Sequence, residues 1–207
     1  MSQYKIVIIP QMIIEKPEFT KKAQDFVKAG GTLVMTYRSA VKDVHNNLTF
    51  GEMIPVRYSS FTGVTVVETE SLQEGQEFPL VGTGICSGLQ GEGGIFRDML
   101  EVTDAEVLYS YGDTFYKEFA AITRKPQGKG MVYYVGCGLD ESTLNVIMSR
   151  IMKENQIAVE PSEDGVEICY RGCGDKKIRI VMNHTAEKVT YKDGVLGPYE
   201  SRIETVE

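Results

Sequence analysis

The 207-residue sequence has no tryptophan, two histidines and four cysteines. Histidine is the commonest general base and a common metal ligand in proteins. The only two positions, His45 and His184, therefore leave few ways to build either kind of site. The cysteines are too few and too scattered for a disulfide-stapled scaffold. Since apolar residues make up 42% of the chain, we expect a globular protein of ordinary composition.

An excess of basic charge is also missing, because the formal net charge is -7 at pH 7. Nucleic acids and anionic membranes are bound through basic stripes, so we expect neither as a partner. The longest apolar run, around residues 6–9, is far shorter than the roughly 20 residues needed to cross a bilayer. The N-terminus has no basic segment followed by an apolar one, as a signal peptide would have. The sequence therefore predicts a cytoplasmic protein.

One cysteine pair, Cys169 and Cys173, has a spacing that could suit a metal or a disulfide. A structural zinc site needs four ligands, and no nearby cluster of Cys or His residues supplies the others. We interpret Cys169 as part of an alternating strand and Cys173 as part of the turn that follows it. No metal and no cofactor is expected.

A β-α-β unit occupies the beginning of the chain. Residues 4–10 and 30–37 are nearly continuous apolar runs that predict buried strands, and residues 17–29 predict a helix between them. Pro17 suits the first helical turn, and Gly30 suits a left-handed C-terminal cap. The buried face of the helix is predicted to contain Phe19, Ala23, Phe26 and Val27. Apolar strands of this kind are typical of a parallel sheet covered by helices on both faces.

The segment after this unit is less regular. Residues 63–68 predict a strand. Residues 71–94 are rich in Gly, Glu and Gln, and we interpret them as a long excursion or a lid. Residues 96–100 predict a short helical turn.

Regular patterns return at residues 105–111, which predict a strand. Residues 119–124 and 131–135, joined by a glycine-rich turn, predict an antiparallel hairpin. Residues 142–156 predict a second helix with Ser142 as its N-cap. Its predicted apolar face consists of Leu144, Ile147, Met148, Ile151 and Met152.

The pattern changes after Pro161, where short strands and turns replace any helical period. We predict two domains, an α/β domain over residues 1–158 and a small antiparallel β domain over residues 161–207. With fewer than fifty residues, the second domain has little core of its own.

Residues 84–90, Gly-Ile-Cys-Ser-Gly-Leu-Gln, resemble the nucleophile turn of class I glutamine amidotransferases. In that turn a cysteine between a strand and a helix attacks an amide carbonyl, and a His-x-Glu pair activates the thiol. Neither histidine here is followed two residues later by Glu, since those positions are Asn47 and Ala186. A thiol without a base is mostly protonated at neutral pH. An amidase or amidotransferase that uses Cys86 is therefore kept as an alternative only.

Two placed carboxylates would suffice for glycoside hydrolysis, but no acidic pair stands out. We interpret the acidic residues as solvated surface groups, because buried charges are rarely unpaired. The residues considered are Glu92, Asp98, Glu101, Asp104, Asp113 and Asp140. The loop aromatics Phe115 and Tyr116 could anchor an interface.

Several segments, in order, resemble the trimerisation domain of family 42 β-galactosidases. They are residues 4–10, 29–39, 41–47, 105–111, 115–116, 120–124, 128–136 and 139–140. Residues 166–171, 181–185 and 196–203 resemble the small C-terminal β domain of the same enzymes.

The resemblance implies an α/β fold like that of class I glutamine amidotransferases, a flavodoxin-like parallel sheet with flanking helices, without their activity. It also implies assembly as a homotrimer and contact with a (β/α)8 barrel, which carries the family's two catalytic glutamates and would lie before Met1. This chain alone is then no enzyme and holds no catalytic residue, while its parent is a retaining β-galactosidase of carbohydrate metabolism. The chain would be a separately produced or a naturally encoded piece. A stand-alone sugar- or protein-binding module is a further alternative.

Overall fold

The computed structural model describes residues 1–160, 162–174, 176–191 and 194–206, without the side chains of Cys173 and Lys176. The chain divides into two compact units, Met1–Gln156 and Ile157–Glu207. None of the described helices combines the length and the apolar character that crossing a bilayer requires.

The first unit has helices α1 Pro17–Lys28, α2 Ser59–Thr62 and α3 Glu141–Glu154. Its strands up to the middle of the chain are β1 Ile6–Ile9, β2 Thr32–Thr36, β3 Val64–Ser71, β4 Glu77–Gly82 and β5 Gln90–Val102. The remaining strands are β6 Glu106–Tyr111, β7 Ala120–Gln127, β8 Gly130–Val135 and β9 Cys137–Leu139.

These nine strands form one mixed sheet in the order β1-β2-β8-β7-β6-β4-β5-β3, with β9 paired to β5. Strand β2 pairs in parallel with both β1 and β8, and the other pairings are antiparallel. The α/β class predicted from the sequence is confirmed. The sheet is mixed because hairpins, which need only short connections, extend the three parallel strands.

The parallel strands lie between two helices. Successive side chains of a strand point to opposite faces, so one set in β2 and β8 packs with α1 and the other with α3. The α1 side of the core contains Ala23, Phe26, Val27, Leu33, Met35, Val132 and Tyr134. The α3 side contains Val34, Tyr133, Val135, Ile147 and Ile151. Helices therefore cover both faces of this part of the sheet.

Helix α1 begins at Pro17 and is closed by a pair of backbone hydrogen bonds. The Gly30 N–H donates to the Val27 carbonyl and the Gly31 N–H donates to the Phe26 carbonyl. Gly30 has a φ of 120°, which a glycine adopts without the steric cost of a Cβ. This is the geometry of a Schellman cap, and it confirms the predicted end of the helix.

Several local predictions for the first unit were wrong. Residues 71–94 form no lid, because β4 and the first part of β5 lie within them and pair with each other. Residues 96–100 belong to β5 instead of a helical turn. Helix α3 is capped by Asp140, whose carboxylate accepts hydrogen bonds from the Ser142 and Thr143 N–H groups. On that helix Leu144 is 46% exposed, while Ile147 and Ile151 are buried as predicted.

The second unit contains the short strands predicted for it. Its strands are β10 Val166–Cys173, β11 Lys176–Asn183, β12 Val189–Tyr191, β13 Gly194–Leu196 and β14 Ser201–Val206. They form a three-stranded antiparallel sheet, β10-β11-β14, and a two-stranded one, β12-β13. A small buried cluster of Val166, Val181, Tyr191 and Leu196 is its core.

Candidate interaction site

A buried carboxylate lies at the carboxyl ends of the parallel strands β2 and β8. The Asp98 carboxylate accepts hydrogen bonds from the Arg38 N–H at 2.9 Å, the Tyr134 hydroxyl at 2.9 Å and the Thr69 hydroxyl at 2.7 Å. The Asp98 N–H donates to the Gly136 carbonyl, directly after β8, at 2.7 Å. This one residue of β5 therefore ties together the ends of both parallel strands and the edge strand β3.

The prediction that Asp98 is a solvated surface acid was wrong, since its exposed fraction is 0%. Burial raises the pKa of the Asp98 carboxyl, and the hydrogen bonds from Thr69, Arg38 and Tyr134 only partly oppose that rise. A carboxylate that is satisfied by three donors and sealed from solvent acts as a structural connector.

The chain leaves β2 through a tightly held bend. Arg38 and Ala40 have φ angles of 56° and 54°, a left-handed region that is uncommon for residues with a Cβ. The Ala40 N–H donates to the Met12 carbonyl, and the Val56 N–H donates to the Ala40 carbonyl. Both ends of the long loop that follows are thus fixed to the body of the first unit.

The loop begins with a turn organised by Asp43. The Asp43 carboxylate accepts hydrogen bonds from the N–H groups of His45 and Asn47, each at 2.9 Å. These bonds, with that from Asn47 first among the causes, lower the pKa of the Asp43 carboxyl. An isolated antiparallel bridge pairs Lys42 with Leu48. The histidine at position 45 therefore belongs to a structural turn.

Within and after this turn, the loop presents large apolar side chains to solvent. We call residues 44–53 the apolar loop. Its four large apolar residues are Val44, Leu48, Phe50 and Met53, with exposed fractions of 56%, 53%, 92% and 59%. Single exposed apolar residues are ordinary, whereas four of them within ten residues make this loop a candidate interaction surface. This loop could not be identified from the sequence, because the four positions follow neither a helical nor a strand period.

A second polar cluster lies on the other face of β5, around the Arg97 guanidinium. It forms ion pairs with Glu70 at 2.8 Å and with Asp113 at 2.9 Å. The guanidinium also lies against the rings of Phe78, Tyr111 and Tyr116. These contacts hold the loop between β6 and β7, whose Phe115 is 79% exposed. Phe115 is thus presented to solvent, whereas the ring of Tyr116 is held by the arginine, and the interface role of Phe115 stays a prediction.

The Cys86 turn does not have the strand-to-helix geometry of a nucleophile turn. Gly84–Cys86 is a 3-10 turn in the connection between the antiparallel strands β4 and β5. Burial raises the pKa of the Cys86 thiol, and the positive charges of Arg150 and Arg124 only partly oppose it. The nearby acid, Glu106, already accepts a hydrogen bond from Arg124 at 2.8 Å. This arrangement favours a protonated, buried thiol.

The cysteine pair considered for a metal or a disulfide, Cys169 and Cys173, lies in the second unit. Cys169 donates to the Glu167 carboxylate at 3.0 Å, and His184 Nε2 lies 2.9 Å from that carboxylate. The Cys173 side chain lies outside the described residues. Within the described part of the chain, no three Cys, His, Asp or Glu side chains are grouped to hold a metal.

Most of the other acids considered are at the surface. Asp104 pairs with Lys125 at 2.7 Å, and Glu101 is exposed. Glu92 lies beside the Glu77 carboxylate, and a hydrogen bond between the two side chains raises the pKa of the Glu92 carboxyl. These contacts give none of the three a defined partner for general acid–base chemistry.

A family model described as a beta-galactosidase trimerisation domain matches residues 1–158. The chain belongs to the β-galactosidase trimerisation domain family. This match confirms the resemblance to family 42 enzymes that was predicted from the sequence. It also covers the whole sheet of the first unit, the apolar loop and the Arg97 cluster.

Curated relatives of this trimerisation domain include two clostridial enzymes. The β-galactosidase Pbg of Clostridium perfringens is 33% identical over 195 residues, which are 91% of this chain and 28% of the relative. The β-galactosidase BgaA of Clostridium cellulovorans is 31% identical over 193 residues, which are 90% of this chain and 28% of the relative. The chain therefore spans little more than a quarter of the length of these relatives.

Among solved structures, the β-galactosidase from Bacillus circulans sp. alkalophilus matches with a TM-score of 0.85 and 28% identity. The match covers 97% of this chain and 32% of that chain.

Proposed function

We propose that this chain is a non-catalytic oligomerisation and C-terminal region of a β-galactosidase. The observation that carries the proposal is the match of residues 1–158 to the trimerisation domain, with coverage of only 28% of the relatives. The parent enzyme would hydrolyse terminal β-D-galactosides, with retention, in carbohydrate metabolism. Its two catalytic glutamates would lie in a (β/α)8 barrel that this chain contacts.

The proposed assembly is a homotrimer. It is supported by the description of the matched family and by the exposed side chains of the apolar loop and Phe115. Closed rings of three need an interface that joins two different patches of the same chain.

We also propose that the chain comprises two domains, residues 1–158 and 161–207, the first of them related to class I glutamine amidotransferases and flavodoxin-like proteins. The three parallel strands β1, β2 and β8, covered by α1 and α3, support this relationship.

The proposal assigns no catalytic residue to this chain. The buried Cys86 thiol in a hairpin connection supports that choice over an amidase. A cytoplasmic location is proposed as well, supported by the free thiols of Cys86, Cys137 and Cys169, which are typical of reducing compartments.

The test is hydrolysis of a chromogenic β-galactoside by the purified 207-residue chain, with a full-length family 42 β-galactosidase as the positive control. We expect no turnover above buffer. Turnover that elutes with the chain through successive purification steps would contradict the proposal. Ammonia release from glutamine, lost on Cys86→Ser, would instead support the amidotransferase alternative.

A further inference from the structure

We infer that the apolar loop, residues 44–53, docks on a neighbouring copy of this chain. The inference rests on the proposed function, because it names the surface through which the proposed trimer would form. The first support is exposure, since Phe50 is 92% and Met53 59% open to solvent. Aromatic residues and methionine are enriched at the centres of interfaces, where anchors fill pockets of the partner.

The second support is order. A disordered loop would lose conformational freedom on binding, but this loop is held at both ends. The Val41 N–H donates to the Ile13 carbonyl before the loop, and the Val56 N–H donates to the Ala40 carbonyl after it. The turn at Asp43 and the Lys42–Leu48 bridge fix the first half of the loop. Val44 and Leu48 are therefore presented from an organised backbone, and in the second half the Glu52 N–H donates to the Thr49 carbonyl at 3.4 Å across a turn that contains Phe50.

The third support is charge, and it favours a second copy as the occupant. Copies with a formal net charge of -7 repel one another. They therefore approach most easily where the surface carries little charge. Residues 44–53 contain a single formally charged side chain, Glu52. An apolar, nearly uncharged patch within the residues that match a trimerisation domain is suited to self-association.

The test compares the wild-type chain with a triple variant, Leu48→Ser, Phe50→Ser and Met53→Ser. These side chains are at least half exposed, so we expect the circular dichroism spectrum to stay unchanged, and thermal unfolding to match the wild type at concentrations where both proteins are monomeric. Molar mass is measured by light scattering over a concentration series. We expect a wild-type trimer, and a variant whose assembly needs at least about tenfold higher concentration.

A matched control carries three serine substitutions at exposed apolar positions elsewhere in the first unit. They are Ile95→Ser, Leu144→Ser and Val146→Ser, at positions with exposed fractions of 61%, 46% and 38%. The control should assemble like the wild type. A second measurement needs no variant, because the amides of residues 44–53 should exchange hydrogen more slowly at concentrations where the trimer forms.

The outcomes separate the two proposals. A wild-type trimer that survives the loop substitutions, or whose loop amides gain no protection, overturns the docking of the loop and leaves the trimer proposal intact. Loss of assembly in the control as well as in the loop variant also overturns the specific role of the loop. A wild-type chain that stays monomeric at all concentrations overturns both the self-assembly of this chain and the loop contact.

Discussion

Replacement of the buried Asp98 tests whether its carboxylate holds the first unit together. Asp98→Ala leaves three donors without acceptors, namely the Arg38 N–H and the Tyr134 and Thr69 hydroxyls. Each buried unsatisfied donor costs about 1–3 kcal/mol, so we expect a loss of about 4 kcal/mol in the free energy of unfolding. Domains are stable by about 5–15 kcal/mol, and this loss would bring the first unit close to its folding threshold.

Asp98→Asn keeps the shape of the side chain and one acceptor oxygen. That oxygen can accept from Arg38 and Tyr134, while the Thr69 hydroxyl can turn and accept from the new amide. We therefore expect a loss of about 1 kcal/mol at neutral pH. The assay is urea unfolding followed by far-UV circular dichroism.

The pH dependence gives the sharper test. Burial raises the pKa of folded Asp98 above its ordinary value of 3.8. The folded state then binds the proton more tightly than the unfolded state, so ionisation of Asp98 lowers stability as pH rises through the raised pKa. Compared with Asp98→Asn, the wild type should gain stability from about pH 7 to about pH 4.5.

Groups that titrate elsewhere contribute equally to both proteins and cancel in this comparison. The exposed acid Glu101 on the same strand provides the control, because Glu101→Gln should change stability by less than about 0.5 kcal/mol. A difference between wild type and Asp98→Asn that stays constant or shrinks on acidification would refute the reasoning.

Three further predictions concern other positions. Iodoacetamide at neutral pH should label Cys86 of the native chain much more slowly than Cys169, because the Cys86 thiol is buried and the Cys169 thiol is partly exposed, while the pKa of both thiols is raised. Mass spectrometry checks this, and fast selective labelling of Cys86 would contradict it. Asp140→Ala should lower the free energy of unfolding by about 1 kcal/mol through loss of the α3 cap, whereas Ser142→Ala should be nearly neutral in the same urea titration. Equal losses for the two substitutions would contradict the capping role of Asp140. Arg97→Ala should lower the free energy of unfolding by about 2 kcal/mol, because the contacts of the buried guanidinium with three aromatic rings are lost, while Glu70 and Asp113 are partly exposed and can be solvated. A loss below about 1 kcal/mol would contradict that role.

The parts of the fold that follow local rules could be predicted from the sequence. Helix α1 has an apolar face with helical spacing, a proline in its first turn and a glycine at its end, and the structure has all three. Two runs rich in β-forming residues around a glycine turn predict the hairpin of β7 and β8, and the structure contains it. In these segments the local preference of the residues and the final fold agree.

The β4–β5 pair could not be predicted, because glycine in a strand weakens the sequence signal for that strand. The structure explains why glycine is present. A Cβ on Gly93 would lie 2.5 Å from the Phe78 ring, and a Cβ on Gly91 would lie 2.6 Å from the Thr143 hydroxyl. Packing across the sheet and against α3 selects these glycines, and that selection depends on residues far away in the sequence.

The candidate interaction site was predicted only in part, for the same reason. Phe115 could be identified as a loop aromatic, but the exposure of Phe50 depends on how residues 38–58 are fastened to the body of the unit. Because residues 96–100 were predicted as a helical turn, the alternation of side chains between the two faces of β5 could not be predicted either. That alternation places Arg97 and Asp98 on opposite faces, where each meets a different set of partners.

The position of Asp98 also bears on what this α/β unit can do. In open α/β sheets, ligands bind in the crevice outside the carboxyl ends of the parallel strands. Here β2 ends at Thr36 and β8 at Val135, and Asp98 bonds to residues that adjoin both ends. The chain's own carboxylate thus fills the place where a ligand would be expected. Since that edge is used to hold the strands together, we place the proposed contact with another copy on a loop that leaves it, residues 44–53.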